Sequence, residues 1–125
     1  FTPNTGFSTH CHCSASGKCL MAFAGEEYLS HYRGCRLHRF TQKTVASWPE
    51  LERQLEEIRR QGYAVEDSET EVGLACIAVP ILDARGTLIA AISVAGPSSR
   101  ILTYPQQQLV ARLREVSAQA AALLG

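Results

Sequence analysis

Neither sign of charge dominates this sequence: twelve Lys and Arg are matched by twelve Asp and Glu, and no basic run stands out. The electrostatic footprint of a nucleic-acid-binding surface is missing, so the chain by itself is not expected to grip DNA. Long apolar runs are missing too. No stretch reaches the ~18 uncharged residues that a membrane span requires, which predicts a soluble protein without membrane contact. The five cysteines are an odd count at irregular spacing, with no cleavable apolar leader ahead of them. That pattern speaks against a secreted disulfide framework and for a reducing, cytoplasmic setting. Repeats, linkers and low-complexity tracts are also lacking. What is present, 46% hydrophobic residues over 125 positions, suffices for one domain with its own core.

After Gly17 the run KCLMAFA spaces its apolar residues for a helix ending at Gly25, and Glu26-Glu27-Tyr28-Leu29 starts a second short one ending at Gly34. Segment 35–46 is polar and irregular. Ser47 with Glu50 three residues on forms a capping box with Pro49 in the first turn, which predicts a helix over 48–61 closed by Gly62. Leu51, Leu55 and Ile58 share its inner face, and Glu56 and Arg60 can pair on the outer one. Tyr63 to Glu66 reads as extended, followed by an acidic loop over 67–73. LACIAVPIL and TLIAAISVA, joined by Asp83-Ala84-Arg85-Gly86, read as a hairpin. Both strands are apolar on both faces, which predicts central positions in a sheet covered on one side with little room on the other. Pro80 points instead to an edge or a bulge. Gly96-Pro97-Ser98-Ser99-Arg100 breaks the pattern, and Thr103, Pro105 and Gln106 open a last helix to about Leu124, striped by Leu109, Leu113, Val116 and Ala120. The order of elements predicts an α+β domain, with helices packed on a mostly antiparallel sheet.

The stretch GFSTHCHCSASGKCLMAF, residues 6–23, holds two of the four histidines and three of the five cysteines. A structural zinc site needs four converging ligands, commonly as two C-x(2–4)-C-type pairs. If residues 9–13 are extended, alternation sends His10 and His12 to one face and Cys11 and Cys13 to the other, so the four cannot surround one ion. A metal held by His10, His12 and a distant third ligand stays open, against the plainer reading of a half-buried strand. SASGKC fails as a P-loop, because His12 stands where a glycine is needed and Cys19 where Ser or Thr is needed. Ser14 can cap a helix beginning near Ala15, and Ala15, Ser16 and Gly17 are small enough to let an anion approach free N–H groups at its positive end. Close packing explains the same small residues equally well. Cys76 is the best candidate for a catalytic thiol, although a cysteine inside LACIAVPIL is more often a small core residue.

The hairpin register decides what Cys76 faces. If Asp83 pairs with Gly86 across a two-residue turn, Cys76 lies opposite Ser93, on a face whose side chains (Thr87, Ile89, Ala91, Ser93, Ala95) are smaller on average than Leu88, Ile92 and Val94 behind them. A glycine bulge at Gly86 would set Cys76 against Val94 instead. The turn sequence permits both.

Three stretches together, CHCSASGKCLMAF, RRQGYAVEDSETEVGLACIAVPILDARGTLIAAISVAGPSSR and the terminal amphipathic helix, resemble the effector-binding domain of IclR-type bacterial transcription regulators. The resemblance covers nearly the whole chain and rests on the spacing of GY, the acidic stretch, GL-x-CIA-x-P, D-x-x-G and AAIS-x-x-GPSSR. It implies a sensor with a GAF-like, profilin-like α+β fold that binds a small organic acid, such as an α-keto acid, a sugar acid or an aromatic acid. It implies no cofactor and assembly as a homodimer or homotetramer. It further implies that DNA is bound only through a winged helix-turn-helix domain absent from this sequence. Residues 1–125 would then be a partial effector domain lacking its usual opening helix and first strands.

Carried over by position, the family's effector pocket falls on Ser14, Ala15, Ser16, Glu66, Cys76, Ser93 and Ala95, with no catalytic residue and no metal ligand among them. Glu66 and Ala95 stand where the glyoxylate-binding members have Asp and a second Ser. One acid is longer and one hydroxyl is lost, and a buried unmatched polar group costs ~1–3 kcal/mol. The resemblance therefore implies an acid larger or less polar than glyoxylate. Two other readings compete: a metal sensor through His10 and His12, and a cysteine-dependent enzyme using Cys76.

Overall fold

In the computed structural model, which describes residues 12–124, local signals set most helix ends. Ser14 caps α1 (Ala15–Phe23), its Oγ accepting the Gly17 N–H at 3.0 Å. Helix α2 (Glu26–Ser30) is shorter than its sequence suggests and gives way to turns before Gly34. Helix α3 (Trp48–Gln61) keeps its predicted bounds. Ser47 Oγ accepts the Glu50 N–H, and Gly62 closes the helix in the left-handed region at φ +86°, where a Cβ would also sit 2.9 Å from Arg114 Nη2. On the outer face Arg60 pairs with Glu57 rather than with Glu56. Both partners lie within one helical turn.

Strands β1 (Ala64–Asp67), β2 (Leu74–Leu82) and β3 (Leu88–Pro97) form an antiparallel sheet in the order β1-β2-β3. Only β2 is central; β3 is an edge among the described residues, although its sequence reads as fully enclosed. Pro80 lies opposite Ala91, beyond the Ala64↔Ala78 pair where β1 has ended and next to a register irregularity at Ile81/Leu82. The irregularity lies on β3, where Ile89 has no partner between the Ile81↔Ala90 and Leu82↔Leu88 pairs, while Pro80 itself stays in register on a stretch of β2 that β1 does not reach. At the turn, Asp83 N–H donates to Thr87 O and Gly86 N–H to Asp83 O, both at 2.9 Å. Gly86 adopts φ +83°, so Ala84, Arg85 and Gly86 make a three-residue loop with a left-handed glycine. This loop and the Ile81/Leu82 shift together move the register by two residues, so Cys76 opposes Ala95 and Ala78 opposes Ser93. The expected Cys76–Ser93 and Cys76–Val94 pairings are both replaced. Side chains alternate with period two, so a double slip returns every residue to its original face.

Both faces of the sheet are covered, not one. On the first, Ala64, Cys76, Ala78 and Ala91 meet Ala15, Cys19 and Ala22 of α1, with Leu51, Leu55 and Ile58 of α3 packed behind. Small residues on both sides let α1 lie close to the strands. On the second face Ile77, Val79, Ile92 and Val94 meet Val110 and Leu113 of α5 (Gln106–Leu124). That helix starts at Gln106 without a threonine cap, because Thr103 Oγ1 donates to Ser99 O at 2.5 Å and closes the turn after α4 (Ser98–Ile101). Its stripe runs through Val110 and Leu113, whereas Val116 is 44% exposed. The architecture is the expected α+β class.

Candidate functional site

His10 and Cys11 lie outside the described residues. His12 and Cys13 form a buried turn ahead of Ser14 rather than an extended strand. His12 Nε2 lies 2.6 Å from the His38 carbonyl oxygen, which makes that nitrogen the donor and commits it to the protein. Among the described residues no three His, Cys, Asp or Glu side chains are grouped to hold a metal ion.

The seven residues carried over from the family resemblance fall into two groups. Glu66, Cys76, Ser93 and Ala95 share one face of the sheet, across its three strands: Glu66 pairs with Cys76, and Cys76 with Ala95. Ser93 hydrogen-bonds the Cys76 thiol. Ser14, Ala15 and Ser16 occupy the start of α1, which packs on that same face. Ser14 is consumed as the cap: its Oγ takes the Gly17 N–H and its carbonyl the Lys18 N–H. The Ala15 and Ser16 N–H groups have no partner among the described residues, as expected at a helix N-terminus. Ala15, Glu66 and Cys76 are buried, Ser14 and Ser16 half-buried, and Ser93 and Ala95 exposed. The polar patch thus has a buried floor and opens toward the free edge of β3.

Sequence reasoning missed the charges beneath this patch. Lys18, on the inner side of α1 and 2% exposed, places Nζ 2.5 Å from Glu69 Oε2. Glu69 Oε1 accepts the Val45 N–H at 3.1 Å, and the Glu69 N–H donates to Glu66 Oε2 at 2.8 Å. Lys18 is therefore ion-paired with Glu69, while Glu66 is held by the Glu69 backbone N–H and feels Lys18 only through its charge. Burial pushes the Glu66 carboxyl above its ordinary range, partly offset by the N–H groups of Glu69 and Thr70, while the Glu69 charge raises it further and Lys18 lowers it. A signal for this pair existed in the sequence. Lys18 lies three residues after Ala15 and four before Ala22, on the packed face of the helix, and a buried lysine requires a carboxylate.

The thiol environment is the reverse of what a nucleophile needs. Burial raises the Cys76 pKa, the nearby Glu66 charge raises it too, and only the Ser93 hydroxyl opposes them. No described histidine is bonded to it.

Residues 2–122 match the family described as bacterial transcriptional regulator IclR C-terminal. The chain belongs to the IclR family. It is 44% identical over 91 residues to the HTH-type transcriptional repressor AllR of Escherichia coli K12, covering 72% of this chain and 34% of AllR. It is 34% identical over 109 residues to the DNA-binding transcriptional repressor YiaJ of the same organism, covering 85% of this chain and 39% of YiaJ. The IclR-type chain thus spans little more than a third of these curated relatives. Among solved structures, the inducer-binding domain of an Acinetobacter PobR double mutant, in complex with 3-hydroxybenzoic acid, superimposes with a TM-score of 0.82 at 27% identity, over 91% of this chain and 66% of that one. The matched part is the effector-binding domain of an IclR-type transcriptional regulator. No helix among the described residues is long and apolar enough to cross a membrane.

Proposed function

We propose that this domain senses a small organic acid and that the patch between α1 and the sheet holds it. The observation that carries the reading is the convergence of Glu66, Cys76 and Ser93 across three adjacent strands, beside unpartnered N–H groups at the positive end of α1. The Ala15 and Ser16 N–H groups receive the carboxylate. Ser93 donates to a second oxygen, Cys76 and Ala95 leave room, and Ser14 and Ser16 border the entrance. Glu66 selects a ligand that offers it a hydroxyl or N–H. PobR's complex with 3-hydroxybenzoic acid supports an acid of this general kind. In our reading residues 1–125 are the effector part of a longer cytoplasmic regulator. A winged helix-turn-helix domain elsewhere in that protein binds DNA, and assembly is a homodimer or homotetramer. The ligand acts by binding one arrangement of that assembly more tightly than the other.

A thermal-shift and calorimetric comparison of glyoxylate, pyruvate, gluconate and 3-hydroxybenzoate tests this. At about 100 times its Kd a ligand adds about 2.7 kcal/mol of stability. We expect at least one larger acid to bind more tightly than glyoxylate, and Ser93→Ala to weaken it about tenfold through the lost hydrogen bond. Failure of every acid to stabilise the chain, tightest binding of glyoxylate, or an unchanged affinity in Ser93→Ala would overturn it.

A further inference from the structure

A cleft of about 410 Å³ lies between α3 and β1, with the Lys18–Glu69 pair in its wall. Its size lies within the range of small-molecule pockets. Its walls carry polar groups of both kinds that the protein does not satisfy. Gln54 Oε1 is buried and accepts no hydrogen bond. A buried acceptor left without a donor costs stability, and such groups are rarely tolerated without a bound partner. Lys18, buried at the base of the cleft, has three N–H donors, of which Glu69 takes one. The Arg53 guanidinium and Glu50 carboxylate stand on the same side of α3 as Gln54, one turn apart. Neither has an ion-pair partner among the described residues. Ile58 and Val65 add an apolar wall.

We infer that this cleft is a second ligand site, for a free α-amino acid with an apolar side chain. A simple anion would engage Lys18 and Arg53 but leave Gln54 Oε1 unmet. A simple amine would engage Gln54 and Glu50 but leave the Arg53 guanidinium without an ion-pair partner and the two spare N–H groups of Lys18, which Glu69 already holds, without acceptors. A zwitterion meets both: its carboxylate lies toward Lys18 and Arg53, its ammonium toward Gln54 Oε1 and Glu50, and its side chain against Ile58 and Val65. This site is independent of the organic-acid patch, since none of its wall residues belongs to the seven residues proposed there.

Titration calorimetry on the chain with L-leucine as the probe tests it, alongside 4-methylpentanoate, which lacks the ammonium, and isopentylamine, which lacks the carboxylate. Leucine is expected to bind at one site, each analogue at least about tenfold more weakly, as the loss of one charge-assisted pair requires. Gln54→Leu and Arg53→Leu should each weaken leucine by a similar factor. Gln54→Leu should melt no lower than the parent, because it removes an unmet acceptor. Absence of leucine binding at millimolar concentration, analogues binding as well as leucine, or unchanged affinity in Arg53→Leu would overturn the assignment. The analogue arm uses the unaltered protein and stands even where a variant folds poorly.

Discussion

At the scale of single residues, burial governs the chemistry of this domain. Cys19 is pushed up to about 12 by burial, and Cys13 and Cys76 are raised in the same direction for the same leading reason. These thiols are neutral, small packing groups. Glu66 is the residue whose charge matters, because it is faced by Glu69 and Lys18 and lies near the thiols of Cys13 and Cys76. Its folded-state pKa lies above its unfolded value, so the native state holds the proton more firmly. The stabilising contribution of the protonated form is complete below the ordinary glutamate range and is lost as pH rises through the raised folded value. Glu66→Gln mimics the protonated state. The variant's stability relative to the parent should therefore rise with pH from the acid side toward neutrality, measured by urea denaturation at several pH values. Parallel profiles would show that Glu66 is not the linked group. Glu66 and Cys76 were carried over from the family resemblance, and they do lie paired on one sheet face. Lys18 and Glu69 were not named: the position of Lys18 on the packed face of α1 called for a carboxylate, but only the fold shows which one, 51 positions away.

Between elements, the loop after β1 is the connector. Ser68 takes the left-handed region at φ +60°, which favours glycine, and is held there by its surroundings. Thr41 Oγ1 donates to Ser68 O at 2.6 Å, Gly73 N–H to Ser68 Oγ at 3.1 Å, and Thr44 Oγ1 to Glu69 O at 2.5 Å. This turn aims Glu69 inward to Lys18, tying α1 to the loop. Lys18→Met leaves a buried carboxylate without its cation and should cost about 3–5 kcal/mol. The double variant Lys18→Met with Glu69→Gln should recover most of that loss, since no unpaired charge remains. Additive losses in equilibrium unfolding would show that the pair is not coupled. Elements whose limits are set by adjacent residues were readable: Ser47, Pro49, Glu50 and Gly62 bound α3 by contacts within a few positions. The start of α5 was not, because the Thr103 hydroxyl is taken by the preceding turn.

For the whole molecule, the asymmetry of the sheet matters most. Small residues on one face admit α1 closely, while large ones on the other receive α5, leaving β3 as an unpaired edge among the described residues. Ile89, 38% exposed on that strand, is the apolar residue best placed to promote pairing with another chain. Ile89→Lys should reduce concentration-dependent association of this chain, followed by light scattering. Unchanged association would place the contact elsewhere.

The amino-acid sequence by itself determined the helix and strand content, the α+β class, the hairpin and the family. The family rests on the resemblance of whole motifs; the others rest on periodicity, caps and turn residues that act within one element or across one turn. Tertiary structure alone decided the two-residue register slip, the covering of both faces and the burial of Lys18 against Glu69. Those outcomes depend on how bulges add along a strand and on which distant side chains must share a space without water. Local patterning cannot specify such pairings, because several remote partners satisfy it equally until the layers close.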